Sequence, residues 1–183
     1  MGTPVGVMDV AVADSRRAAD TLGRYAVYQQ IKRRNPDAAE TLYKGALEAA
    51  PAHANNLGSY AVFLETVRND ADGAEIYYKR AVAADPDHAV NLGNYALFLK
   101  NRRCDSEEAE RHYKRAIAAD PANAYCLGGY AILVFDIHHD ADKAEALFKR
   151  ALAADAQDAD VLGSYALFLE TSRNKRERAQ ALY

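Results

Sequence analysis

Apolar residues recur along the chain with a period of 35 residues. The pattern Leu-Gly-x-Tyr-Ala starts at five evenly spaced leucines: Leu22, Leu57, Leu92, Leu127 and Leu162. In each copy the leucine, the tyrosine, the alanine and a further residue, usually aliphatic, stand at relative positions 0, 3, 4 and 7, which is the spacing of one helical face. This pattern predicts a first helix in every repeat, called helix A, over residues 54–67 of the second repeat.

A second apolar cluster follows each helix A. It reads Ala-Glu-x-x-Tyr-Lys-Arg-Ala at residues 74–81 and again at residues 109–116. Its small and aromatic residues also share one helical face, so a second helix, called helix B, is predicted over residues 72–84. The glutamate and the lysine stand four residues apart, a spacing that stabilises an exposed helix by about 0.2–0.5 kcal/mol. A fixed period of two helices is typical of stacked repeats.

The residues between the helices agree with these boundaries. Good N-cap residues precede every helix B: Asn35, Asp70, Asp105 and Asp140. Pro36 then occupies the first helical position, where its missing N–H costs little. Most B helices are followed by a proline, as in Asp85-Pro86, which favours an end to the helix. The fourth repeat has Ala156 at that position, so a less sharply defined junction is expected there.

The periodicity also sets the limits of the repeats. Four complete repeats are predicted: 22–56, 57–91, 92–126 and 127–161. Residues 1–21 are expected to belong to a preceding partial unit, because residues 11–23 align with residues 81–93, where a helix B ends. Residues 162–183 form an incomplete repeat, and Tyr183 falls in the aromatic column of helix B. We therefore expect the natural chain to continue with further repeats.

The spacing of small, aromatic and proline residues resembles the tetratricopeptide repeat. The residues that carry the likeness are Ala109, Tyr113, Ala116 and Pro121 at the end of a repeat and Pro86, Leu92, Tyr95, Ala96 and Leu99 at the start of one. The chain departs from that family in having leucine for the usual tryptophan, alanine for a usual glycine, and one extra residue in the A–B turn. The resemblance implies an all-α, right-handed superhelical solenoid of antiparallel helix pairs. It also implies a scaffold, not an enzyme, that binds a protein or peptide on the concave face lined by the A helices.

The resemblance places the ligand residues on the side of helix A opposite the core. They are Asn55, Val62, Glu65, Val90, Asn94, Leu97, Lys100, Tyr125, Ile132 and Phe135. The fourth repeat is distinctive, since Phe135 takes the position of Glu65 and Lys100, and Tyr125, Ile132 and Phe135 are spaced to share one face. We interpret them as an apolar anchor patch for a partner. A thicker local core and a subunit contact are the alternatives.

A glycine recurs within every helix A. The column consists of Gly23, Gly58, Gly93, Gly128 and Gly163. Because glycine inside a helix costs about 1 kcal/mol relative to alanine, its recurrence indicates that something approaches closely there. Either a neighbouring helix or the backbone of a ligand would explain it.

A column of basic residues ends helix A. It consists of Arg33, Arg68, Arg103 and Arg173, with His138 at the same position in the fourth repeat. These cations could complement the helix C-termini, an effect worth about 0.3–1 kcal/mol each. The alternative is a basic edge that binds an anionic partner.

Composition narrows the classes of function. A net charge of −3 and a pI near 6.0 make nucleic acid an unlikely partner. No stretch has the 18 or more apolar residues of a membrane span, and no basic signal-peptide start is present, so a cytoplasmic protein without membrane contact is expected. Cys104 and Cys126 do not form a disulfide framework. No phosphate loop, HExxH or CxxC motif occurs, and no cofactor or metal is expected, the His138-His139 pair being too isolated.

Two other functions stay open at this stage. Helical repeats can bind RNA, which a salt-dependent shift of single-stranded RNA would reveal. Incomplete terminal repeats expose apolar helix faces, so end-to-end self-association into a structural solenoid is the other alternative.

Overall fold

The computed structural model describes the backbone of residues 5–173 and the side chains of residues 12–171. This part of the chain is helical throughout and contains no strand. Its α-helices are α1 (Val5–Ile31), α2 (Pro36–Ala49), α3 (Ala54–Thr66), α4 (Ala71–Ala84), α5 (Ala89–Phe98), α6 (Ser106–Ala119), α7 (Ala124–Leu133), α8 (Ala141–Ala154) and α9 (Ala159–Arg173). Two π-helical turns, Leu99–Arg103 and Val134–His138, extend α5 and α7.

The chain forms two compact units. The first unit, Met1–Pro86, contains α1 to α4, and the second, Asp87–Tyr183, contains α5 to α9. Within each unit, successive helices joined by short turns pack as antiparallel hairpins, α1 with α2 and α3 with α4 in the first, α5 with α6 and α7 with α8 in the second. Helix α9 packs on α7 and α8. Each hairpin is one A–B pair, as the periodicity predicts.

The predicted helix limits and caps are confirmed. Helix A of the second repeat spans Ala54–Thr66 and helix B spans Ala71–Ala84. The side chains of Asn35, Asp70, Asp105 and Asp140 each accept a hydrogen bond of 2.9–3.1 Å from the backbone N–H three residues later. Such a cap is worth about 1 kcal/mol. Helix α8 ends as α4 and α6 do, so the less sharply defined junction expected at Ala156 is not observed.

A second set of caps starts helix A. The imidazole Nδ1 atoms of His53 and His88 accept hydrogen bonds from the N–H groups of Asn56 and Asn91, at 3.4 and 3.3 Å. Asn123 fills the same role for α7 with an oxygen 3.1 Å from the N–H of Cys126. Histidine is not among the usual N-cap residues, which is why its role was hidden in the sequence.

The first helix differs from the prediction. The sequence pattern predicts the end of a helix B and then a separate helix A, but the structure has one continuous helix. It runs without a break from Val5 to Ile31. Arg16 stands where three of the other repeats have proline, and Ala18 stands where all of them have a capping residue, so nothing stops the helix. Within the described residues, no preceding helix B packs against α1. As a result Tyr25 and Tyr28 are 51% and 45% exposed.

No helix within residues 5–173 is both long enough and apolar enough to cross a membrane. The core of each unit consists of alanine, leucine and aromatic columns shared by the two helices of a pair. It includes a column that the sequence pattern did not single out: Phe63, Phe98, Leu133 and Phe168, all at most 4% exposed. The aromatic recurrence of that column was the signal available in the sequence.

His112 is a polar residue buried on the core side of α6. Its ring nitrogen Nδ1 has no hydrogen-bond partner among the described residues. It packs on the ring of Tyr95 at 4.8 Å. Burial, with Arg115 and Arg111 nearby, lowers the pKa of His112 to about 4, although Glu108 lies 3.2 Å from Nε2. In the unfolded chain this histidine binds a proton below its ordinary pKa of about 6.5, whereas in the folded chain it stays neutral down to about pH 4. The free energy of unfolding therefore falls as the pH falls from about 6.5 to 4.

We expect the free energy of unfolding to drop by about 1–2 kcal/mol between pH 7.5 and pH 5, and His112→Leu to remove most of this loss. Leucine occupies the same position in two other repeats, at Leu42 and Leu147. His139→Asn is the control, because His139 is exposed and Asn69 stands in its column. Urea denaturation followed by circular dichroism at the two pH values measures the effect. Equal pH dependence of the wild type and His112→Leu would contradict the prediction.

Candidate ligand-binding groove

The recurrent glycines lie against the next helix A. A β-carbon placed on Gly23 would meet the side-chain oxygen of Asn56 at 2.0 Å, and one on Gly93 would meet the sulfur of Cys126 at 2.6 Å. One on Gly128 would meet Val161 at 3.0 Å, whereas one on Gly163 would meet no described residue within 4 Å. Close approach of a neighbouring helix therefore explains the glycine column at these three positions, rather than a ligand backbone.

Polar side chains reinforce this contact between successive A helices. The Nδ2 of Asn56 donates to the backbone oxygen of Ala19 at 2.9 Å in the first unit. In the second unit the thiol of Cys126 donates to the backbone oxygen of Ala89 at 3.4 Å. Burial raises the pKa of Cys126 to about 12, so it stays a thiol and packs as a small apolar group. Asn56 and Cys126 stand in the column that directly precedes the repeated leucine, and the sequence pattern did not single out that column.

Two adjoining pockets open between the A helices of the second unit. The first, called the tyrosine pocket, has a volume of about 310 Å³ and is lined by Leu97, Tyr113, Tyr125, Gly128, Gly129, Ile132, Asp158, Asp160, Val161 and Ser164. The second, called the phenylalanine pocket, has a volume of about 290 Å³ and is lined by Ile132, Phe135, Asp136, Phe148, Ser164, Leu167, Phe168 and Thr171. Ile132 and Ser164 belong to both linings, so the pockets form one groove on α5, α7 and α9.

Four of the predicted ligand residues meet in this groove. Leu97 and Tyr125 are each 36% exposed, and Ile132 and Phe135 are half-buried. The ring of Phe135 packs edge-to-face on Phe168, with centroids 5.0 Å apart. Phe135 thus contributes both to the pocket lining and to the packing of α7 on α9, and its role as an anchor for a partner stays a prediction.

The other predicted ligand residues lie elsewhere. Val90 is exposed and Asn94 half-buried, and neither belongs to the two pocket linings. The ammonium of Lys100 pairs with the carboxylate of Asp136 at 2.6 Å. In the first unit, Asn55 is exposed and Val62 half-buried, while the carboxylate of Glu65 accepts a hydrogen bond of 2.8 Å from the hydroxyl of Tyr78.

The basic column makes contacts within the protein. The guanidinium of Arg68, at the end of α3, binds the carboxylates of Asp37 and Glu40 on α2 at 2.6 and 2.8 Å. Arg103 lies over the ring of Phe98 at 5.5 Å. Arg33 is exposed, and the side chain of Arg173 lies outside the described residues. Through Arg68, this column helps to hold helix A against the preceding helix B. The binding of an anionic partner by the basic column stays a prediction.

The repeated glutamate of helix B connects three groups. Glu110 accepts hydrogen bonds from Lys114 at 2.8 Å and from the hydroxyl of Tyr130 at 2.9 Å, and it lies 2.9 Å from His138. The hydrogen bonds from Lys114, His138 and Tyr130 lower the pKa of Glu110 to about 2. The glutamate–lysine pairs expected on a solvent face therefore also join helix B to the next helix A.

The turn with two histidines makes no converging ligand set. His138 contacts Glu110, and the backbone of His139 is left-handed, with φ of 52°. Arg34, Asn69 and Cys104 adopt the same conformation at the equivalent turns. In the part of the chain that the structure describes, no three side chains of the metal-ligating types come together.

Solved structures with the same arrangement of helices are numerous. PilF of Pseudomonas aeruginosa has a TM-score of 0.77 at 22% identity, with 92% of this chain and 76% of that chain covered. PilW, a type IV pilus biogenesis factor, has a TM-score of 0.79 at 20% identity, with 90% and 76% covered. TTC0263, a thermophilic tetratricopeptide-repeat protein of Thermus thermophilus, has a TM-score of 0.73 at 23% identity, with 91% and 88% covered. No family model matches the sequence, and no curated protein matches it. The predicted resemblance and fold class are confirmed at the level of the fold.

Proposed function

We propose that this chain, which has the tetratricopeptide-repeat fold, is a non-catalytic scaffold that binds a segment of another protein in the groove of its second unit. The observation that carries the proposal is the pair of adjoining apolar pockets, which share Ile132. The pockets are centred on the fourth repeat, which differs from the other repeats because Phe135 stands at the position that Glu65 and Lys100 occupy in the second and third.

The groove supplies what a protein segment needs for anchoring. Half-exposed aromatic and aliphatic side chains gain about 25 cal/mol per Å² of apolar surface when a partner covers them. Each pocket is large enough for one side chain of the partner, and binding energy in such interfaces concentrates in a few residues of this kind. Three carboxylates on or next to the groove, those of Asp136, Asp140 and Asp158, are engaged in an ion pair or in helix caps, which suits positioning rather than chemistry.

We expect Ile132→Ala to weaken peptide binding about tenfold, because its side chain is common to both pockets. A displayed library of random 12-residue peptides, selected on the whole chain, supplies the probes. The affinity of each enriched peptide is then measured by fluorescence polarisation. Ile76→Ala is the matched control, since Ile76 is 58% exposed on α4 in the other unit.

Thermal unfolding of both variants is the control that tests whether they are folded. The proposal fails if no peptide is enriched, or if Ile76→Ala and Ile132→Ala affect binding equally. Salt-dependent binding of single-stranded RNA without peptide binding would favour the nucleic-acid alternative. Concentration-dependent light scattering without peptide binding would favour self-association.

A further inference from the structure

The hydroxyl of Tyr113 has a different surrounding from its counterparts in other helix pairs. Tyr43 donates to Gln30 at 3.0 Å and Tyr78 donates to Glu65 at 2.8 Å, in each case to the residue thirteen positions earlier. For Tyr113 that position holds Lys100, whose ammonium is directed to Asp136. The hydroxyl of Tyr113 lies next to Gly129 instead, and Tyr113 lines the tyrosine pocket although the residue is only 1% exposed.

Gly129 opens the way from this hydroxyl to the tyrosine pocket. The other repeats have Ser59, Asn94 and Ser164 in the same column. A β-carbon on Gly129 would stand 2.6 Å from the hydroxyl oxygen of Tyr113, so any side chain there would cover it. The glycine therefore leaves the hydroxyl uncovered beside the pocket, where a hydrogen-bond donor of a bound side chain can reach it.

The lining of the same pocket includes two carboxylates, those of Asp158 and Asp160. Asp160 is exposed at the start of α9. Asp158 caps that helix, where one of its oxygens accepts hydrogen bonds from the N–H groups of Asp160 and Val161, both at 3.0 Å. Of the described residues that line the pocket, none is cationic. The lining of the pocket therefore combines apolar side chains, a neutral hydroxyl and two carboxylates.

We propose that the tyrosine pocket binds a lysine or arginine side chain of the bound protein segment, an inference that rests on the proposed function. The aliphatic stem packs between Leu97, Tyr125 and Ile132, as long basic side chains do on apolar surfaces. The cationic head donates hydrogen bonds to the hydroxyl of Tyr113 and to the carboxylates of Asp158 and Asp160. The neighbouring phenylalanine pocket, with Phe148 on its lining instead of a tyrosine, takes an apolar side chain of the same segment.

Burial makes the hydroxyl suitable as an acceptor of this kind. It raises the pKa of Tyr113 well above the usual value, so the group stays neutral and offers its lone pairs to a donor. Tyr125 also lines the pocket, and an aromatic ring attracts a cation that stacks on its face.

The experiment compares matched peptides on the whole chain. Peptides enriched by the random 12-residue library are expected to pair a lysine or arginine with an apolar residue. Each arginine-containing peptide is then synthesised with citrulline, a neutral residue of the same shape, in place of arginine. On the wild type we expect the citrulline peptide to bind about tenfold more weakly, as suits a charged hydrogen bond at a partly solvated site.

Variants of the protein locate the effect. The double variant Asp158→Asn, Asp160→Asn should lose most of the preference for arginine, and it keeps the helix cap because Asn123 caps α7 in the same way. Tyr113→Phe, which copies Phe148 of the next repeat, should reduce the preference for arginine several-fold without unfolding the chain. Asp120→Asn is the control, since Asp120 belongs to neither pocket lining.

The outcomes separate this inference from the proposed function. If no peptide is enriched, both fail. If peptides bind and Ile132→Ala weakens them, but citrulline peptides bind as tightly as arginine peptides, only the inference about the basic side chain is overturned. Enrichment of acidic peptides, or an arginine preference that survives in the Asp158→Asn, Asp160→Asn variant, would overturn it as well.

Discussion

Replacing Tyr60 by alanine should lower the free energy of unfolding by about 3–5 kcal/mol, the usual cost of deleting a large buried aromatic ring. Tyr60 is 3% exposed. Its ring lies 4.7 Å from that of Tyr77 and 5.6 Å from that of Tyr43. Its hydroxyl donates to Glu40 at 3.4 Å. The substitution removes all these contacts and leaves a cavity between helices α2, α3 and α4 that backbone packing prevents from closing.

The matched variant is Tyr25→Ala, at the same place in the repeated pattern. Tyr25 is 51% exposed and stacks on Tyr28 at a centroid distance of 5.8 Å. We expect this substitution to cost less than about 1 kcal/mol, because most of its ring is already in water. Urea denaturation followed by circular dichroism measures both. Equal losses would show that the two tyrosines have similar surroundings and would contradict the burial described above.

The second large effect concerns the glycines of helix A. Alanine gains about 1 kcal/mol of helix propensity over glycine at any interior helical position. At Gly93 this gain is opposed by the sulfur of Cys126, only 2.6 Å from the new methyl group, and by Tyr125 at 3.2 Å. Overpacking of this kind costs about 1–3 kcal/mol, so Gly93→Ala should be destabilising by up to about 2 kcal/mol.

Gly163→Ala should have the opposite sign. Among the residues that the structure describes, nothing lies within 4 Å of its new methyl group, so the gain of about 1 kcal/mol is unopposed there. Thermal and urea unfolding of the two single variants measures the difference. Adding Cys126→Ala to Gly93→Ala removes the opposing sulfur and should recover part of the loss, which a double-mutant cycle quantifies. Destabilisation by Gly163→Ala, or no recovery in the double variant, would argue against helix contact as the reason for the glycines.

Much of the architecture followed from local patterns. The helix limits, the four aspartate and asparagine caps and Pro36 could be predicted because each depends on residues within one turn of its own position. The alignment of residues 11–23 with the end of a helix B does not predict the continuous helix α1, whose only local signals are the absent proline and cap at Arg16 and Ala18. The histidine caps were missed because few helices use that residue.

The candidate groove was predictable only in part. The unusual residue Phe135, in a column that is otherwise polar, marked the fourth repeat as distinctive. Nothing in the sequence indicated that Gly129 would expose the hydroxyl of Tyr113, because that contact joins helix B of one pair to helix A of the next. The role of Arg68 was hidden for the same reason, since its partners Asp37 and Glu40 lie about thirty residues earlier.

The sequence alone determined the period, the helix pairs and the face of each helix that packs, because helical spacing and capping are local properties. The tertiary structure alone decided how far the side chains of each copy of the pattern are buried. Leu22 and Leu57 begin the same five-residue pattern, yet the tyrosine of one copy is half exposed and that of the other is buried. The reason is physical: burial depends on the helix that packs from the neighbouring repeat, and in the described part of the chain no helix B precedes α1.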